Sequence, residues 1–179
     1  MKFFKYSKGF TLIELMIVIG IISILSVGII SILNPVDQIQ KANDARRKSD
    51  LLQIQKALEQ YYEDSGRYPP SSSDYKIVEA GSDPSSGTDW GNPWTPYMNL
   101  LPQDPSSPTK TYVYYTPDGQ SYYLYASLDR GGNDKQACHS NGDPCDSLSN
   151  QTPAISSTAC STDGSSKCNY GVSSPNVSP

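Results

Sequence analysis

Residues 10–33 read FTLIELMIVIGIISILSVGIISIL, and Glu14 is the only charged residue in these 24 positions. A helix of this length extends about 36 Å, which is enough to cross the roughly 30 Å hydrocarbon core of a bilayer. Residues 1–9 carry three lysines and no acid, so the positive-inside rule places the N-terminus in the cytoplasm. The sequence therefore predicts a single membrane-spanning helix over residues 10–33.

A cleaved secretory signal peptide is the alternative for this segment. The apolar region of such a peptide usually has about 7–15 residues and ends at a small-residue cleavage site. Here the apolar stretch is longer and is followed by Asn34 and Pro35. Cleavage on the outer side of the membrane is therefore disfavoured, and residues 10–33 are expected to stay as an anchor.

Glu14 is unusual, because a carboxylate inside an apolar helix costs about 2–3 kcal/mol even on lenient insertion scales. One explanation is that Glu14 lies at the cytoplasmic interface and extends its carboxylate towards water. Acidic residues are rare within membrane spans, and those that occur usually have a functional partner. We therefore expect Glu14 to be functional and to have a partner.

The stretch KGFTLIELMIVIGII, residues 8–22, resembles the leader and mature start of type IV prepilins and type II secretion pseudopilins. The resemblance implies that a prepilin peptidase cuts between Gly9 and Phe10, which makes residues 1–9 a cleaved leader and Phe10 an N-methylated first residue. It also implies an assembly role for Glu14, whose carboxylate would pair with the Phe10 amine of a neighbouring subunit. Opposite charges attract strongly in such a low-dielectric setting.

The composition of the chain argues against several other functions. It has 179 residues, 14 Lys and Arg, 18 Asp and Glu, and a formal net charge of −4, so nucleic-acid binding through the bulk surface is not expected. Phosphate-binding loop, zinc-protease and nucleophile-elbow motifs are missing from the sequence, and His139 is the only histidine. We therefore expect a structural protein rather than an enzyme.

Residues 34–68 are predicted to form an amphipathic helix, because Leu51, Ile54 and Leu58 recur at the spacing of one helix face. Pro35 is expected to interrupt the helix near its start, because proline removes a backbone hydrogen bond and clashes with the preceding turn. The end of this segment, YYEDSGRYPP, resembles the end of the long helix in many pilins and pseudopilins.

A run of three basic residues, Arg46-Arg47-Lys48, lies in this helix. It could contact lipid phosphates, an acidic neighbouring subunit or DNA. The favoured interpretation is an ordinary solvated helix face, because runs of charge usually are solvated.

Residues 69–146 are predicted to form a loop and a small antiparallel sheet. Strand-forming residues at 112–115 and 122–128 flank the turn sequence Pro117-Asp118-Gly119. The segments PYMNLLPQDP and TYVYYTPDGQSYYLYASLD resemble the core of the major pseudopilin of type II secretion systems. The predicted fold class is therefore α+β and pilin-like, with a long N-terminal helix, half membrane-spanning and half amphipathic, packed on a small antiparallel β-sheet.

Four oxygen-bearing side chains among the glycines after this hairpin, Asp129, Asn133, Asp134 and Asp143, are candidate calcium ligands. Calcium prefers about 6–8 oxygen ligands in flexible loops, and the resemblance implies calcium in the loop that follows the equivalent strands. The alternative is a polar turn whose side chains bond their own backbone. Calcium is the only cofactor that the sequence suggests.

The four cysteines, Cys138, Cys145, Cys160 and Cys168, lie in the last 42 residues. Outside the cytoplasm an even number predicts two disulfides, and local pairing of Cys138 with Cys145 and of Cys160 with Cys168 is favoured because short loops close easily. A zinc site is a weaker alternative, because the spacing is too wide for common structural sites. Residues 147–179 form a Ser-rich tail, either stapled to the sheet or displayed loosely.

The resemblance implies a structural subunit of a type IV pilus-like filament, which polymerises with copies of itself through its apolar helix after peptidase cleavage. It would lie in the inner membrane with its N-terminus in the cytoplasm before it joins a periplasmic or cell-surface filament. Its partners would be prepilin peptidase, an assembly platform and ATPase, minor pilins or pseudopilins, and membrane lipid. The alternatives are a surface pilin for adhesion, motility or DNA uptake, and a membrane-anchored binding module or enzyme.

Overall fold

The computed structural model describes residues 9–32, 34–79, 81–83 and 85–179, so most of the predicted leader, residues 1–8, lies outside the described residues. The chain divides into two compact units, Met1–Ile39 and Gln40–Pro179. The second unit includes most of the amphipathic helix and the whole Ser-rich tail.

The first unit contains helix α1, Leu12–Ile32, and the start of helix α2, Pro35–Ser65. The predicted interruption at Pro35 is confirmed, since α2 begins at this proline, a position where its missing N–H costs nothing. Asn34 has a φ of +34°, a left-handed conformation that asparagine tolerates better than most residues. Its carbonyl accepts a hydrogen bond from the backbone N–H of Asp37 at 3.1 Å.

Apart from Glu14, Ser23 and Ser26, the described side chains of α1 are apolar, and they are exposed, with Leu12 77% and Ile24 76% exposed. Over the residues whose side chains the structure describes, no helix is both long and apolar enough to cross a membrane. The membrane span over residues 10–33 stays a prediction.

Helix α2 ends at Ser65, because Gly66 terminates it. This glycine has a φ of +69°, and its N–H donates to the carbonyl of Tyr62 at 2.8 Å. A left-handed glycine directly after the last helical residue is a common helix end, since glycine adopts that conformation without steric cost.

A three-stranded antiparallel sheet follows, with the strand order β1-β2-β3. Strand β1, Val113–Tyr115, pairs with β2, Tyr123–Ala126, as the predicted hairpin requires, and the turn between them contains Gly119 with a φ of +74°. Strand β3, Tyr170–Ser173, comes from the Ser-rich tail and pairs with β2. The sequence did not predict this third strand.

One face of the sheet packs on α2. The predicted helix residues Leu51, Ile54 and Leu58 are fully buried there, together with Leu124 of β2. Alternate residues of the second hairpin strand belong to the same core; they are Tyr122, Leu124, Ala126 and Leu128. The α+β, pilin-like fold class is therefore confirmed.

The other face of the sheet is covered by the C-terminal residues. Val113, Tyr115 and Tyr125 form a second core with side chains from the cysteine-bearing region, which are Cys145, Leu148, Ile155, Cys160 and Cys168. The disulfides join Cys138 to Cys145 and Cys160 to Cys168, the local pairing favoured from the sequence. Both disulfides close short local loops, and the tail is held on the sheet by this second core and by the pairing of β3 with β2 rather than displayed loosely.

Candidate functional site

The bond between Gly9 and Phe10 lies just before α1 and outside regular secondary structure. Both residues are exposed, and Phe10 is 85% exposed. The arrangement leaves the bond open to a peptidase. Cleavage at this bond and methylation of Phe10 stay predictions.

Glu14 closes the N-terminus of α1 through a capping box with Thr11. The backbone N–H of Thr11 donates to Oε2 of Glu14 at 2.8 Å, and the Thr11 hydroxyl donates to the same oxygen at 2.7 Å. In return, the backbone N–H of Glu14 donates to the Thr11 hydroxyl oxygen at 3.3 Å. Such reciprocal bonds satisfy N–H groups that the first turn of a helix leaves without intrahelical partners. The carboxylate is therefore held within about one turn of Phe10.

Thr11 is absent from the assembly residues predicted from the sequence, although a signature for it exists there. Residues 11–14 read TLIE, and a Thr followed three residues later by Glu at a helix start is the pattern of a capping box. Both Thr11 bonds end on Oε2 of Glu14. Thr11 does not use Oε1. This oxygen can therefore accept a hydrogen bond from a donor beyond the described part of the chain.

The apolar side chains that follow Glu14 surround the helix instead of forming one stripe. Between Leu15 and Leu25 they include Met16, Ile17 and Ile22, each more than half exposed. A helix that is apolar on all sides is stable only when lipid or other helices cover it. The start of α1 therefore combines a polar group at its end with a surface that must be buried by a partner.

A second cluster of charged residues, in the unit Gln40–Pro179, is centred on Arg47, whose side chain is 0% exposed. Its Nε and Nη2 donate to the two carboxylate oxygens of Asp104 at 2.8 and 3.1 Å, and Nη2 also donates to Ser106 at 3.0 Å. Its Nη1 donates to Asp44 and to Asp129, each at 2.8 Å. A guanidinium has five N–H donors, and these five bonds use them all.

The acids around Arg47 also bind other groups. Asp129 accepts a hydrogen bond from Lys110 at 2.5 Å, while Asp44 accepts from the backbone N–H groups of Asp129 and Arg130 at 2.8 and 2.9 Å. Burial raises the pKa of Asp129, but the hydrogen bonds from Lys110 and Arg47 outweigh it, so its pKa lies below the ordinary value. The cluster therefore joins α2 to two loops by ionised groups.

The interpretation of Arg46-Arg47-Lys48 as a solvated face is wrong for Arg47. Its partners Asp104 and Asp129 come from loops 57 and 82 residues further along the chain, and their charges compensate for its loss of water. Arg46 does remain 63% exposed, as expected for a solvated position.

The three acids among the predicted calcium ligands do not form a metal-binding group. Asn133 ends a short 3-10 helix, and each predicted acid instead faces a cationic side chain. The pairs are Asp129 with Lys110 and Arg47, Asp134 with Lys48, and Asp143 with Lys167. Within the described ranges, no three His, Cys, Asp or Glu side chains are placed to hold a metal ion. The observed donor set does not fit calcium.

The ionised acids make folding stability depend on pH. Burial opposes ionisation of Asp134, but hydrogen bonds from Lys48 and from the Gln136 backbone outweigh it and lower its pKa, as for Asp129. Groups with a lowered pKa in the folded state stabilise it fully above their unfolded pKa of about 3.9, and that stabilisation is lost as the pH falls through the folded pKa. We expect the free energy of unfolding to fall as the pH drops below about 4.

Urea unfolding at a series of pH values would measure this dependence. Asp129→Asn should flatten the acid side of the profile, because the amide does not titrate there. The exposed Asp74→Asn serves as the control and should leave the profile as it is in the wild type. A profile that Asp129→Asn leaves equally steep would contradict the assignment.

Two protein-family descriptions match the chain. The prokaryotic N-terminal methylation motif matches residues 4–30, and type II secretion system (T2SS), protein G, matches residues 34–143. The first match covers the Gly9–Phe10 bond, Thr11 and Glu14. The second covers α2, the hairpin and the cluster around Arg47.

The chain is also similar to several proteins named type II secretion system core protein G. The protein from Aeromonas hydrophila is 34% identical over 105 residues, which are 56% of this chain and 68% of that protein. The protein from Pectobacterium carotovorum subsp. carotovorum is 32% identical over 99 residues, 55% of this chain and 61% of its own length. The Klebsiella pneumoniae protein is 33% identical over 99 residues, 55% of this chain and 68% of its length. No solved structure matches the chain significantly.

The two family matches together include the capping box of α1 and the loops that bind Arg47. The match over residues 34–143 covers more than half of the 179 residues. The chain therefore belongs to the type II secretion system protein G family and is a pseudopilin, a structural filament subunit of that system.

Proposed function

We propose that this pseudopilin is stored in the inner membrane, is trimmed by prepilin peptidase between Gly9 and Phe10, and then polymerises with copies of itself into a periplasmic filament. The observation that carries the proposal is the position of the Glu14 carboxylate, held about one turn from Phe10 at the start of an exposed apolar helix. The further partners would be the inner-membrane assembly platform, the assembly ATPase and minor pseudopilins.

Trimming would create the positive group that Glu14 requires. The new amine of Phe10 is a cation, whereas removal of the three leader lysines changes the formal net charge of the chain from −4 to −7. The Glu14 carboxylate already accepts two bonds on Oε2 from Thr11 of its own chain. A neighbour's Phe10 amine would bind the remaining oxygen, Oε1, and this contact would set the axial register between subunits.

The apolar surface of α1 supplies the driving force for assembly. A subunit leaves the lipid without exposing side chains such as Leu12 and Ile13 to water only if other α1 helices cover them. The carboxylate–amine pair then selects one position along the filament, because any other position leaves a charge unpaired in an apolar environment. Apolar burial supplies affinity and the ion pair supplies register.

Mass analysis of the protein purified from membranes tests the first step. We expect the chain to begin at Phe10 and to carry one methyl group on its amine. A chain that begins at Met1 would contradict trimming and would favour the membrane-anchored binding module or enzyme. Long fibres on the cell surface, seen by electron microscopy, would instead favour the surface pilin.

A further inference from the structure

We infer that Arg47 holds the loops at Asp104 and Asp129 against α2 and that Lys110 joins these two loops, so that the folded unit needs no calcium there. These contacts join the helix to the sheet domain and are separate from filament assembly. The resemblance implied a calcium ion for the loop after the hairpin, and here cationic side chains take its place.

Three separate segments meet at Arg47. Asp44 lies on α2 one turn before it, Asp104 lies in the loop before β1, and Asp129 follows the second hairpin strand. The guanidinium contacts all three carboxylates at 2.8 Å, and the bond to Asp104 is bidentate. A planar guanidinium with five donors can serve several acids at once. Arg47 therefore occupies the position that links the three segments.

All six carboxylate oxygens of these acids are already engaged. Both oxygens of Asp104 accept from Arg47, and the two oxygens of Asp129 accept from Arg47 and Lys110. Those of Asp44 accept from Arg47 and from the backbone N–H groups of the Asp129 loop. A calcium ion would need several of these oxygens at about 2.3–2.6 Å, so it would have to displace the bonds that are present.

The charges of the cluster also nearly balance. Asp44, Asp104 and Asp129 carry three negative charges, and Arg47 and Lys110 supply two positive ones at distances of 2.5–3.1 Å. A divalent cation would be repelled by the buried Arg47 and the partly buried Lys110 and would gain little net attraction. The chain thus supplies its own cations to this acidic site.

The neighbouring acids follow the same pattern. Asp134, in the loop after Asp129, accepts from Lys48 at 2.6 Å, and Lys48 is the residue next to Arg47 on α2. Consecutive basic residues of α2 therefore bind acids before and after the short 3-10 helix Gly131–Asn133. The loop that was predicted to bind calcium is attached to the helix by side chains of the chain itself.

Thermal unfolding of the full chain in detergent, followed by near-ultraviolet circular dichroism, tests the inference with calcium or with the chelator EGTA. We expect the wild type to have the same Tm in both conditions, because a ligand that does not bind does not stabilise. A Tm that calcium raises by about 5 °C or more would overturn the inference.

Arg47→Met and Arg46→Met form a matched pair of neighbouring arginines. Removing one partner of a buried ion pair leaves uncompensated charge, so Arg47→Met should lower the Tm by about 10 °C or more. Arg46 is 63% exposed and lies 3.8 Å from Asp50, so Arg46→Met should change the Tm by only about 2 °C or less. Equal effects of the two substitutions would overturn the role of Arg47.

Asp129→Asn decides the question even if Arg47→Met does not fold. If side-chain cations hold the loop, this substitution lowers the Tm by the same amount in calcium and in EGTA. If calcium holds it, the substitution lowers the Tm in calcium alone and abolishes the difference between the two conditions. The first result supports the inference and the second overturns it.

Discussion

Glu14→Ala should reduce filament yield at least about tenfold, while peptidase processing and membrane insertion stay as in the wild type. The expected loss follows from a charge-assisted hydrogen bond, which contributes about 1.5–3 kcal/mol, since about 1.4 kcal/mol corresponds to a factor of ten. Processing should continue because the Gly9–Phe10 bond lies outside α1 and is exposed. Filament yield is measured by shearing and immunoblotting, and processing by the mobility of the mature chain.

The Glu14 carboxylate has two roles, as a helix cap with Thr11 and as the proposed partner of a neighbour's Phe10 amine. A glutamine variant separates them. Glutamine at the third position of a helix can replace glutamate in a capping box, so Glu14→Gln keeps the bonds to Thr11 but removes the charge. We expect Glu14→Gln to assemble as poorly as Glu14→Ala. Thr11→Val removes the cap but keeps the carboxylate, and should cost only the roughly 1 kcal/mol of a helix cap.

Filaments from Glu14→Gln at the wild-type level would show that Glu14 acts only as a helix cap. The pairing with the Phe10 amine of a neighbour would then be wrong, although the chain would remain a pseudopilin. Poor assembly of both Glu14 variants, with Thr11→Val close to the wild type, would leave the charge as the operative feature.

Replacing the Cys160–Cys168 disulfide by two serines should lower the free energy of unfolding by about 3 kcal/mol, within the range for small extracytoplasmic domains. Both cysteines are 0% exposed and belong to the second core, which covers the outer face of the sheet. The carbonyl of Cys160 accepts from the N–H of Thr111, just before β1, at 3.0 Å. Removing this disulfide should therefore destabilise the sheet as well as the tail. Urea unfolding under oxidising conditions measures the change in the free energy of unfolding.

The Cys138–Cys145 disulfide is the matched control. Its sequence separation is 7 residues against 8 for Cys160–Cys168, so the chain-entropy contributions are nearly equal. Cys138 is only partly buried, whereas both Cys160 and Cys168 lie in the core, where a serine hydroxyl would lose water. We expect replacement of Cys138 and Cys145 to cost about 1 kcal/mol less. A larger loss at Cys138–Cys145 would contradict the described packing.

Local patterns predicted much of the molecule. The spacing of Leu51, Ile54 and Leu58 identified the buried face of α2, and Gly119 identified the turn of the hairpin, because helix faces and tight turns depend on residues close together in sequence. The motif around Gly9, Phe10 and Glu14 identified the family for the same reason. Each of these features can be read from a short stretch.

Other features depended on residues that are distant in sequence. Strand β3 was not predicted, since its pairing with β2 is made about 47 residues away along the chain and the tail lacks large aliphatic residues. The lysines that face the predicted calcium ligands were not foreseen, because Lys48, Lys110 and Lys167 come from three other segments. Whether an acid meets a metal or a lysine depends on what the fold brings to it.

The sequence alone determined that this protein has an apolar N-terminal helix with a single acid and an α+β domain of the pseudopilin type. Only the tertiary structure decided that Arg47 is buried and that the serine-rich end completes the sheet. The physical reason is that a charged side chain can leave water only where opposite charges are assembled around it. The partners Asp104 and Asp129 reach Arg47 only after the chain has folded.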